Sequence, residues 1–172
     1  IFEKLDNINP VRGRMELAAT KKNGATVYVD YAHTPDAIEV ALKSLKPHIQ
    51  GNLFVIIGAG GERDQGKRPL MGTAAEQNSD FVIITDDNPR NENPSAIHHM
   101  IKQGIQNDNK VKVIADRAEA ILTAVDLLEV GDGLLIAGKG HETEQVIGEN
   151  NFPFDDFEQA SLSVASLDGI EQ

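Results

Sequence analysis

The sequence predicts an α/β fold, a Rossmann-like and mostly parallel six-stranded sheet with helices on both faces. Two observations lead to this prediction. Short continuous apolar runs, which are typical of strands buried on both faces, alternate with longer segments whose apolar residues repeat at helical spacing. The chain of 172 residues is also long enough for one domain with one core. Strands that alternate with amphipathic helices form parallel sheets through right-handed crossovers.

The first two predicted strands form a hairpin, and four more strands follow. Residues 13–19 and 26–30 flank a turn that contains Asn23 and Gly24, a pair that favours tight hairpin turns. The other predicted strands are the apolar runs at residues 53–57, 81–85, 111–114 and 134–137.

Five helices are predicted between and after these strands, because each follows a capping residue or a proline suited to a first helical turn. The first helix is expected to end near Pro47 and the fourth at Leu128. The predicted starts are Pro35 after the cap Thr34, Pro69, Pro94 after Asn93, the capping-box-like Asp116 with Glu119, and the residue after Asp155.

Composition narrows the range of functions. Acidic residues outnumber basic ones by 27 to 16, giving a net charge of −11, so no nucleic-acid partner and no membrane partner is expected. The absence of cysteine excludes disulfides and thiolate metal sites, and no apolar run has the length of a membrane span. We expect a cytoplasmic protein. Residues 1–12 resemble a linker from a preceding domain, which leaves residues 13–172 as the domain itself.

Four polar clusters follow predicted strands, at the edge of the sheet where ligands collect. Helix N-termini behind these loops would add free N–H groups and positive dipole ends suited to anions. The clusters are DYAHTP at residues 30–35, GAGGERDQGKRP at 58–69, DDNPR at 86–90 and AGKGHE at 137–142.

The third of these clusters, the DDNPR loop (residues 86–90), predicts a site for a zwitterion. Carboxylates suit an ammonium group, the planar fork of arginine suits a carboxylate, and proline limits how far these groups can separate. The alternative is an ordinary polar turn whose charges face water. The loop offers Asp86, Asp87, Asn88, Pro89 and Arg90.

The glycine-rich loop has the spacing of a Walker phosphate loop at residues 61–67, but it is not one. Arg68 replaces the hydroxyl residue that magnesium requires, and Pro69 removes an N–H group. A dinucleotide fingerprint also fails, because Arg63 occupies the place of its third glycine. The loop is instead expected to direct Arg63, Lys67 and Arg68 toward the DDNPR loop. The alternative for these cations is a solvated helix start.

The remaining polar residues are less specific. Asp30, at the end of a strand, suits the hydroxyl pair of a ribose or else caps a turn. His33 suits contact with a base or else holds its own turn. His48, His98 and His99 are assigned to helix surfaces without a function, because no spacing of histidines and carboxylates around them makes a metal site.

Six motifs, in this order and spacing, resemble the C-terminal domain of the Mur ligases and, among these, the branch that uses meso-diaminopimelate. The resemblance extends from about Gly13 to Phe157 and covers only the last third of such an enzyme. The motifs are GRME (13–16), VDYAHTPDAI (29–38), GAGGERDQGKRPLM (58–71), TDDNPR (85–90), ADRAEAI (115–121) and AGKGHE (137–142).

The resemblance implies an ATP-dependent ligase of peptidoglycan precursor synthesis. Such an enzyme activates the carboxylate of UDP-N-acetylmuramoyl-L-Ala-D-Glu as an acyl phosphate, which the amine of diaminopimelate attacks. The full-length enzyme would use ATP and Mg²⁺, and its N-terminal and central domains would be partners of this one. This domain alone would bind no cofactor and would be inactive.

The resemblance also implies two groups of site residues. Arg14 would contact the ATP phosphates, Asp30 the ribose, and Tyr31 and His33 the nucleotide edge. One departure from the family is Thr143 and Glu144, where many relatives carry an acidic-aromatic pair; it puts the packing of the last loop in doubt. The residues implied for diaminopimelate are Arg63, Asn88 and Arg90 for carboxylates, Asp87, Glu142 and the Gly138 carbonyl for the ammonium, and Pro89.

Two other classes of function remain as alternatives. One is a non-catalytic module that binds a nucleotide or an amino acid, because this chain offers neither a phosphate loop nor an obvious nucleophile. The other is a dinucleotide-dependent oxidoreductase, which the missing third glycine disfavours.

Overall fold

The computed structural model of the chain describes residues 11–169, which contain eight strands and five α-helices. Single 3₁₀ turns at Lys46–His48 and Asp108–Lys110 precede β3 and β5. The strands are β1 (Glu16–Thr20), β2 (Thr26–Asp30), β3 (Leu53–Ile57), β4 (Phe81–Ile84), β5 (Val111–Val113), β6 (Gly133–Ala137), β7 (Glu144–Ile147) and β8 (Asn150–Pro153). The helices are α1 (Pro35–Leu45), α2 (Lys67–Asn78), α3 (Pro94–Lys102), α4 (Arg117–Leu127) and α5 (Asp156–Asp168).

Six of the strands form one sheet in the order β1-β2-β6-β3-β4-β5. The pair β1 and β2 is antiparallel, as the predicted hairpin requires, and the other neighbouring strands are parallel. The sheet is therefore six-stranded and mostly parallel, which confirms the predicted fold class. Strands β2, β6, β3 and β4 occupy its middle, so the loops after them meet at one edge.

Helices cover both faces of the sheet, as predicted. Successive residues of a strand face opposite sides, and Val55 and Ile56 accordingly belong to two different clusters of buried apolar side chains. The first cluster packs the sheet against α1, α2 and α3, and the second packs it against α4 and α5. The strands β3 and β6 are buried along their whole length, which explains their continuous apolar sequence.

The predicted helix starts are confirmed in four of five cases. The side chains of Thr34, Asn93, Asp116 and Asp155 each accept a backbone N–H in the first turn of the helix that follows. The exception is α2, which begins at Lys67 rather than at Pro69. A proline can occupy the first turn because its missing N–H would have no partner within the helix there.

The hairpin of β7 and β8 was not predicted from the sequence. Its two-residue turn consists of Gly148 and Glu149, and no residue of either strand is buried. The hairpin therefore lacks the alternation of apolar and polar residues by which half-buried strands are recognised.

The predicted linker at residues 1–12 lies mostly outside the described residues, which begin at Val11. Val11 is exposed, and the guanidinium of Arg12 contacts the carboxylate of Asp155. Between residues 11 and 169, no helix combines the length and the apolar character needed to cross a membrane.

Candidate functional site

The loops after β2, β3, β4 and β6 surround a cavity of about 290 Å³ at the carboxyl edge of the sheet. Of the predicted site residues, Arg14, Asp30 and Pro89 do not line this cavity. The residues that do are Tyr31, His33, Arg63, Asp87, Asn88, Arg90, Gly138 and Glu142, together with Gly58, Ala59, Gly60 and Lys67.

The anionic side of the cavity carries a carboxylate that accepts no hydrogen bond from the described residues. Asp87 is only 8% exposed, and within residues 11–169 no group donates a hydrogen bond to its side chain. Its Oδ2 lies so close to Gly138 that a Cβ there would be 2.7 Å away, and Gly138 has a φ of +119°. The charge of Asp87 interacts favourably with the buried guanidinium of Arg117, but a mostly buried carboxylate without a hydrogen-bond donor is still costly, so this arrangement suits a cationic ligand.

A second carboxylate, that of Glu142, belongs to a buried network. The Nδ2 atom of Asn88 donates to Glu142 Oε2 at 2.9 Å. The fully buried ammonium of Lys139 donates to Asn88 Oδ1 at 2.9 Å and to Glu142 Oε2 at 3.3 Å. Because the Oδ1 of Asn88 also accepts Val146 N–H at 2.9 Å, the amide group of Asn88 faces Glu142 and the cavity.

The cationic side of the cavity is formed by two arginines. Arg63 is exposed and has no hydrogen-bond or ionic partner among residues 11–169. Arg90 donates through Nη1 to the carbonyls of Gly61 at 2.9 Å and Asn88 at 3.4 Å. These bonds leave Nη2 and Nε of Arg90 available to a ligand carboxylate in the planar fork geometry that arginine provides.

The glycine-rich loop packs directly against the DDNPR loop. The N–H of Gly61 donates to Asn88 O at 2.9 Å, and a Cβ on Gly61 would collide with the carbonyl of Pro89. Pro89 therefore contributes packing of the two loops in this structure. Glycine is required at position 61 because the backbones of the two loops approach closely there.

Arg68 does not point toward the cavity, which corrects the sequence-based expectation. It is fully buried and forms a two-pronged pair with Glu92, at 2.5 and 2.8 Å, and a bond to Gly60 O at 3.2 Å. The Arg68 guanidinium holds the pKa of Glu92 at about 2. Glu92 Oε2 also accepts the N–H of Glu62 at 3.0 Å, so this ion pair ties the glycine-rich loop to the segment after the DDNPR loop.

The Glu92 pair predicts a specific loss of stability in acid. A carboxylate whose folded pKa is about 2 instead of 4.5 contributes stability at higher pH that is lost as the pH falls from about 4.5 toward 2. We expect Glu92→Gln to be less stable at neutral pH and to lose less stability across that window, as measured by denaturant unfolding. Glu39→Gln, at an exposed pair with Lys43, is the control and should keep the wild-type slope. Equal slopes for all three proteins would contradict the prediction.

The predicted nucleotide residues form a separate group beside the cavity. The guanidinium of Arg14 lies 5.0 Å from the ring centre of Tyr31, whose ring also contacts His33 and His141. Asp30 uses both carboxylate oxygens on backbone N–H groups, those of Met15 at 2.7 Å and Ala32 at 2.8 Å. Further hydrogen bonds to Asp30 would use the second lone pair of each oxygen.

Arg117 is a buried arginine behind the cavity whose role was not predicted from the sequence. Arg117 is 1% exposed and joins Asp156, at 2.7 and 2.8 Å, to the carbonyls of Asp86 and Ala137. Burial opposes its charged form, but the carboxylates of Asp156, Asp87 and Glu142, with that of Asp156 the strongest, outweigh that effect and raise the pKa of Arg117. Arg117 thus fixes the ends of β4 and β6, from which two of the site loops depart. Its only sequence signal was its place in the ADRAEAI motif.

The histidines have simpler positions. His98 is buried rather than on a helix surface, which corrects that expectation, and its Nε2 lies 2.7 Å from Asp86 Oδ1. His99 is exposed on α3, and His48 is exposed in a 3₁₀ turn. Among residues 11–169 there is no group of three or more histidine, aspartate or glutamate side chains placed to hold a metal ion.

Comparison with known proteins relates the chain to one enzyme family. The family model for "Mur ligase, glutamate ligase domain" matches residues 13–140. A 2,6-diaminopimelate ligase of UDP-N-acetylmuramoyl-L-alanyl-D-glutamate from Bradyrhizobium diazoefficiens is 48% identical over 166 residues, which cover 96% of this chain and 33% of that protein. The ligase of the same name from Coxiella burnetii is 49% identical over 161 residues, covering 94% of this chain and 33% of that protein.

A solved structure gives the same result. The structure of a ligase with the same name has a TM-score of 0.85 and 41% identity to this chain, and the match covers 92% of this chain and 32% of the other. This chain therefore spans about a third of the length of the proteins that it matches.

Proposed function

The chain belongs to the Mur ligase family, and from this premise we propose that residues 13–172 are the C-terminal, amino-acid-binding domain of an ATP-dependent ligase of the MurE type. Its reaction would be the addition of meso-diaminopimelate to UDP-N-acetylmuramoyl-L-Ala-D-Glu in peptidoglycan precursor synthesis. The observation that carries the proposal is the cavity that opposes the Asp87 carboxylate, which accepts no hydrogen bond from the described residues, to the guanidinium groups of Arg63 and Arg90.

These groups match the charges of an amino acid with two carboxylates. The substrate ammonium would lie between Asp87, Glu142 and the carbonyl of Gly138, because a cation compensates the carboxylate that the protein leaves without a donor. Its carboxylates would meet Arg63, Asn88 and Arg90. The Asn88 amide suits that role because its Oδ1 is already occupied by two donors, so its NH₂ group is the one presented.

The domain's part in the reaction is to hold the attacking amine. In the proposed chemistry, ATP converts the peptide carboxylate to an acyl phosphate, the amine attacks its carbonyl carbon, an amide bond forms and phosphate leaves. A fixed amine converts this encounter into an effectively intramolecular step, which lowers the entropic part of the barrier. Because the chain spans a third of its relatives, the acyl phosphate would form against other domains of the full-length enzyme, which are its proposed partners.

The nucleotide would lie beside the amino acid. Arg14 would face the phosphates, Asp30 the ribose, and Tyr31 and His33 the edge of the nucleotide, since Tyr31 and His33 line the cavity and Arg14 and Asp30 lie next to Tyr31. Mg²⁺ would accompany ATP in the full-length enzyme, and we assign no Mg²⁺-dependent step to this domain. ATP and a UDP-linked precursor as substrates imply a cytoplasmic enzyme.

The proposal is tested by ADP release from the full-length ligase that contains this domain. We expect turnover only when ATP, the UDP-linked dipeptide and meso-diaminopimelate are all present. Lysine, which lacks one carboxylate, is the control in place of diaminopimelate and should support much less turnover. The purified domain alone should fold but should not hydrolyse ATP under the same conditions. Turnover that is independent of the amino acid, or equal with lysine, would contradict the assignment. A full-length protein that binds these ligands without turnover would favour the non-catalytic binding module.

A further inference from the structure

The hairpin of β7 and β8 contributes no buried residue to the core, yet it is hydrogen-bonded to the DDNPR loop of the site. None of its eight strand residues is buried, and it forms a two-stranded sheet of its own. An isolated two-stranded hairpin has marginal stability in water, so its position depends on contacts with the rest of the domain. Those contacts are concentrated on the DDNPR loop.

Four hydrogen bonds connect the hairpin to three residues of that loop. The backbone of Arg90 is held on both sides, because its N–H donates to Val146 O at 3.0 Å and its carbonyl accepts Gly148 N–H at 2.8 Å. The side chain of Gln145 donates to Asp87 O at 2.9 Å. The N–H of Val146 donates to Asn88 Oδ1 at 2.9 Å, so the hairpin also orients the Asn88 amide.

Arg90 needs this support because its backbone is strained. Its φ of +52° lies in the left-handed region, which residues other than glycine and asparagine rarely adopt. Without the hydrogen bonds from the hairpin, we expect the loop to adopt an unstrained conformation and the guanidinium to leave the position in which it lines the cavity. The backbone bridge between Arg90 and Ile147 lies directly at this strained residue.

The hairpin also extends the ligand site. Asn88, Arg90 and Glu142 line a second cavity of about 310 Å³, whose remaining walls are Thr143, Glu144 and Val146. Both cavities therefore share Asn88, Arg90 and Glu142. Two residues of the hairpin, Glu144 and Val146, line the second cavity. A ligand longer than a simple amino acid can place its far end beside Arg90 and the hairpin.

We propose that the β7–β8 hairpin is the specificity-determining element of the amino-acid site. It holds Arg90 in the left-handed conformation that places the guanidinium against the second carboxylate of the ligand. The inference rests on the proposed function and adds a role to residues that touch no reacting atom. The hairpin favours substrates that carry a charge at the far end, and it influences substrates that lack one less, through its bonds to Asp87 and Asn88 alone.

Gly148 allows a matched test in the full-length ligase. It has a φ of +59°, and a Cβ at this position would meet no atom within 4 Å, so any substitution acts through the backbone alone. Valine disfavours the left-handed region, whereas asparagine tolerates it, so Gly148→Val strains the turn and Gly148→Asn is its control. A second variant replaces residues 145–152 by Gly-Gly, which a two-residue turn can close because Glu144 pairs with Pro153.

Two measurements are made on each variant. Hydrogen exchange should be faster at the Arg90 amide in Gly148→Val and in the shortened protein, while the amides of β3 keep wild-type protection. The ratio of kcat/KM for meso-diaminopimelate to that for lysine should fall about tenfold in Gly148→Val, the factor that about 1.4 kcal/mol represents, and further in the shortened protein. Gly148→Asn should keep the wild-type ratio, and activity on lysine should hardly change in Gly148→Val. The shortened protein also loses the bonds to Asp87 and Asn88, so its activity on lysine should fall, but by a smaller factor than its activity on diaminopimelate.

The outcomes separate the two claims. If the shortened protein keeps the wild-type ratio, or if both substrates lose activity equally, the role of the hairpin is wrong and the proposed function stands. If the wild-type enzyme does not prefer diaminopimelate, the proposed function fails, and the inference that rests on it fails with it.

Discussion

Arg90→Ala is expected to remove most of the preference of the full-length ligase for meso-diaminopimelate over lysine. The two substrates differ by one carboxylate, and the free Nη2 and Nε atoms of Arg90 suit a two-pronged bond to that group. Hydrogen bonds to charged groups are worth about 1.5–3 kcal/mol each, so losing two lowers kcat/KM for diaminopimelate about a thousandfold. The low activity on lysine should remain nearly unchanged, because lysine has no group for Arg90 to bind.

The lysine substrate also serves as the control for a structural effect. Arg90 donates to the carbonyls of Gly61 and Asn88, so its removal disturbs the contact between two loops. If that disturbance dominated, both substrates would lose activity by the same factor, and the role of Arg90 in selection would be wrong. Arg90→Lys should not restore the preference, since a single ammonium cannot reproduce the planar fork. Steady-state kinetics with both amino acids at saturating ATP measures all three results.

Arg117→Met is expected to lower the free energy of unfolding by about 3–5 kcal/mol. The substitution leaves Asp156 as an uncompensated charge that is fully buried, and it removes the donor from the carbonyls of Asp86 and Ala137. Denaturant unfolding of the domain at neutral pH measures the change. Because Arg117 holds the ends of β4 and β6 together, loss of the amino-acid site should accompany loss of stability.

Two further variants distinguish a buried charge from general disruption. Arg117→Met combined with Asp156→Leu removes both charges, and it should recover most of the stability because apolar pairs can replace buried ion pairs. Arg12→Met removes the partner of the neighbouring Asp155, but Arg12 is 54% exposed, so the change should stay below about 1 kcal/mol. A single Arg117→Met variant within 1 kcal/mol of wild type would show that Arg117 is not the support that its contacts indicate.

Much of the architecture could be predicted because it depends on local signals. The caps at Thr34, Asn93, Asp116 and Asp155 act within three residues of their own position, and the predicted helices begin where these residues stand. The apolar runs of β3 and β6 marked strands buried on both faces. Once the strands were known to be mostly parallel, their loops had to meet at one edge, which brought eight of the predicted site residues to one cavity.

The errors concern charges whose partners are distant in the sequence. Arg68 was expected at the site but pairs with Glu92, and His98 was expected on a surface but is buried beside Asp86. Arg117 meets Asp156, which lies 39 residues away. A charged side chain looks the same in the sequence whether it is solvated or paired, because only the fold decides whether a compensating group lies within reach.

The sequence by itself determined the succession of the six sheet strands and five helices along the chain, the edge at which the polar loops collect and the types of charge that they offer, since each follows from local periodicity and chain connectivity. Only the tertiary structure decided which of those charges are available to a ligand. Among the described residues, the side chains of Asp87 and Arg63 form no hydrogen bond, whereas Lys139, Arg68 and Arg117 are buried in pairs that shape the loops. The exposed β7–β8 hairpin also became meaningful only in the fold, because its hydrogen bonds hold a strained backbone at Arg90 that no local pattern indicates.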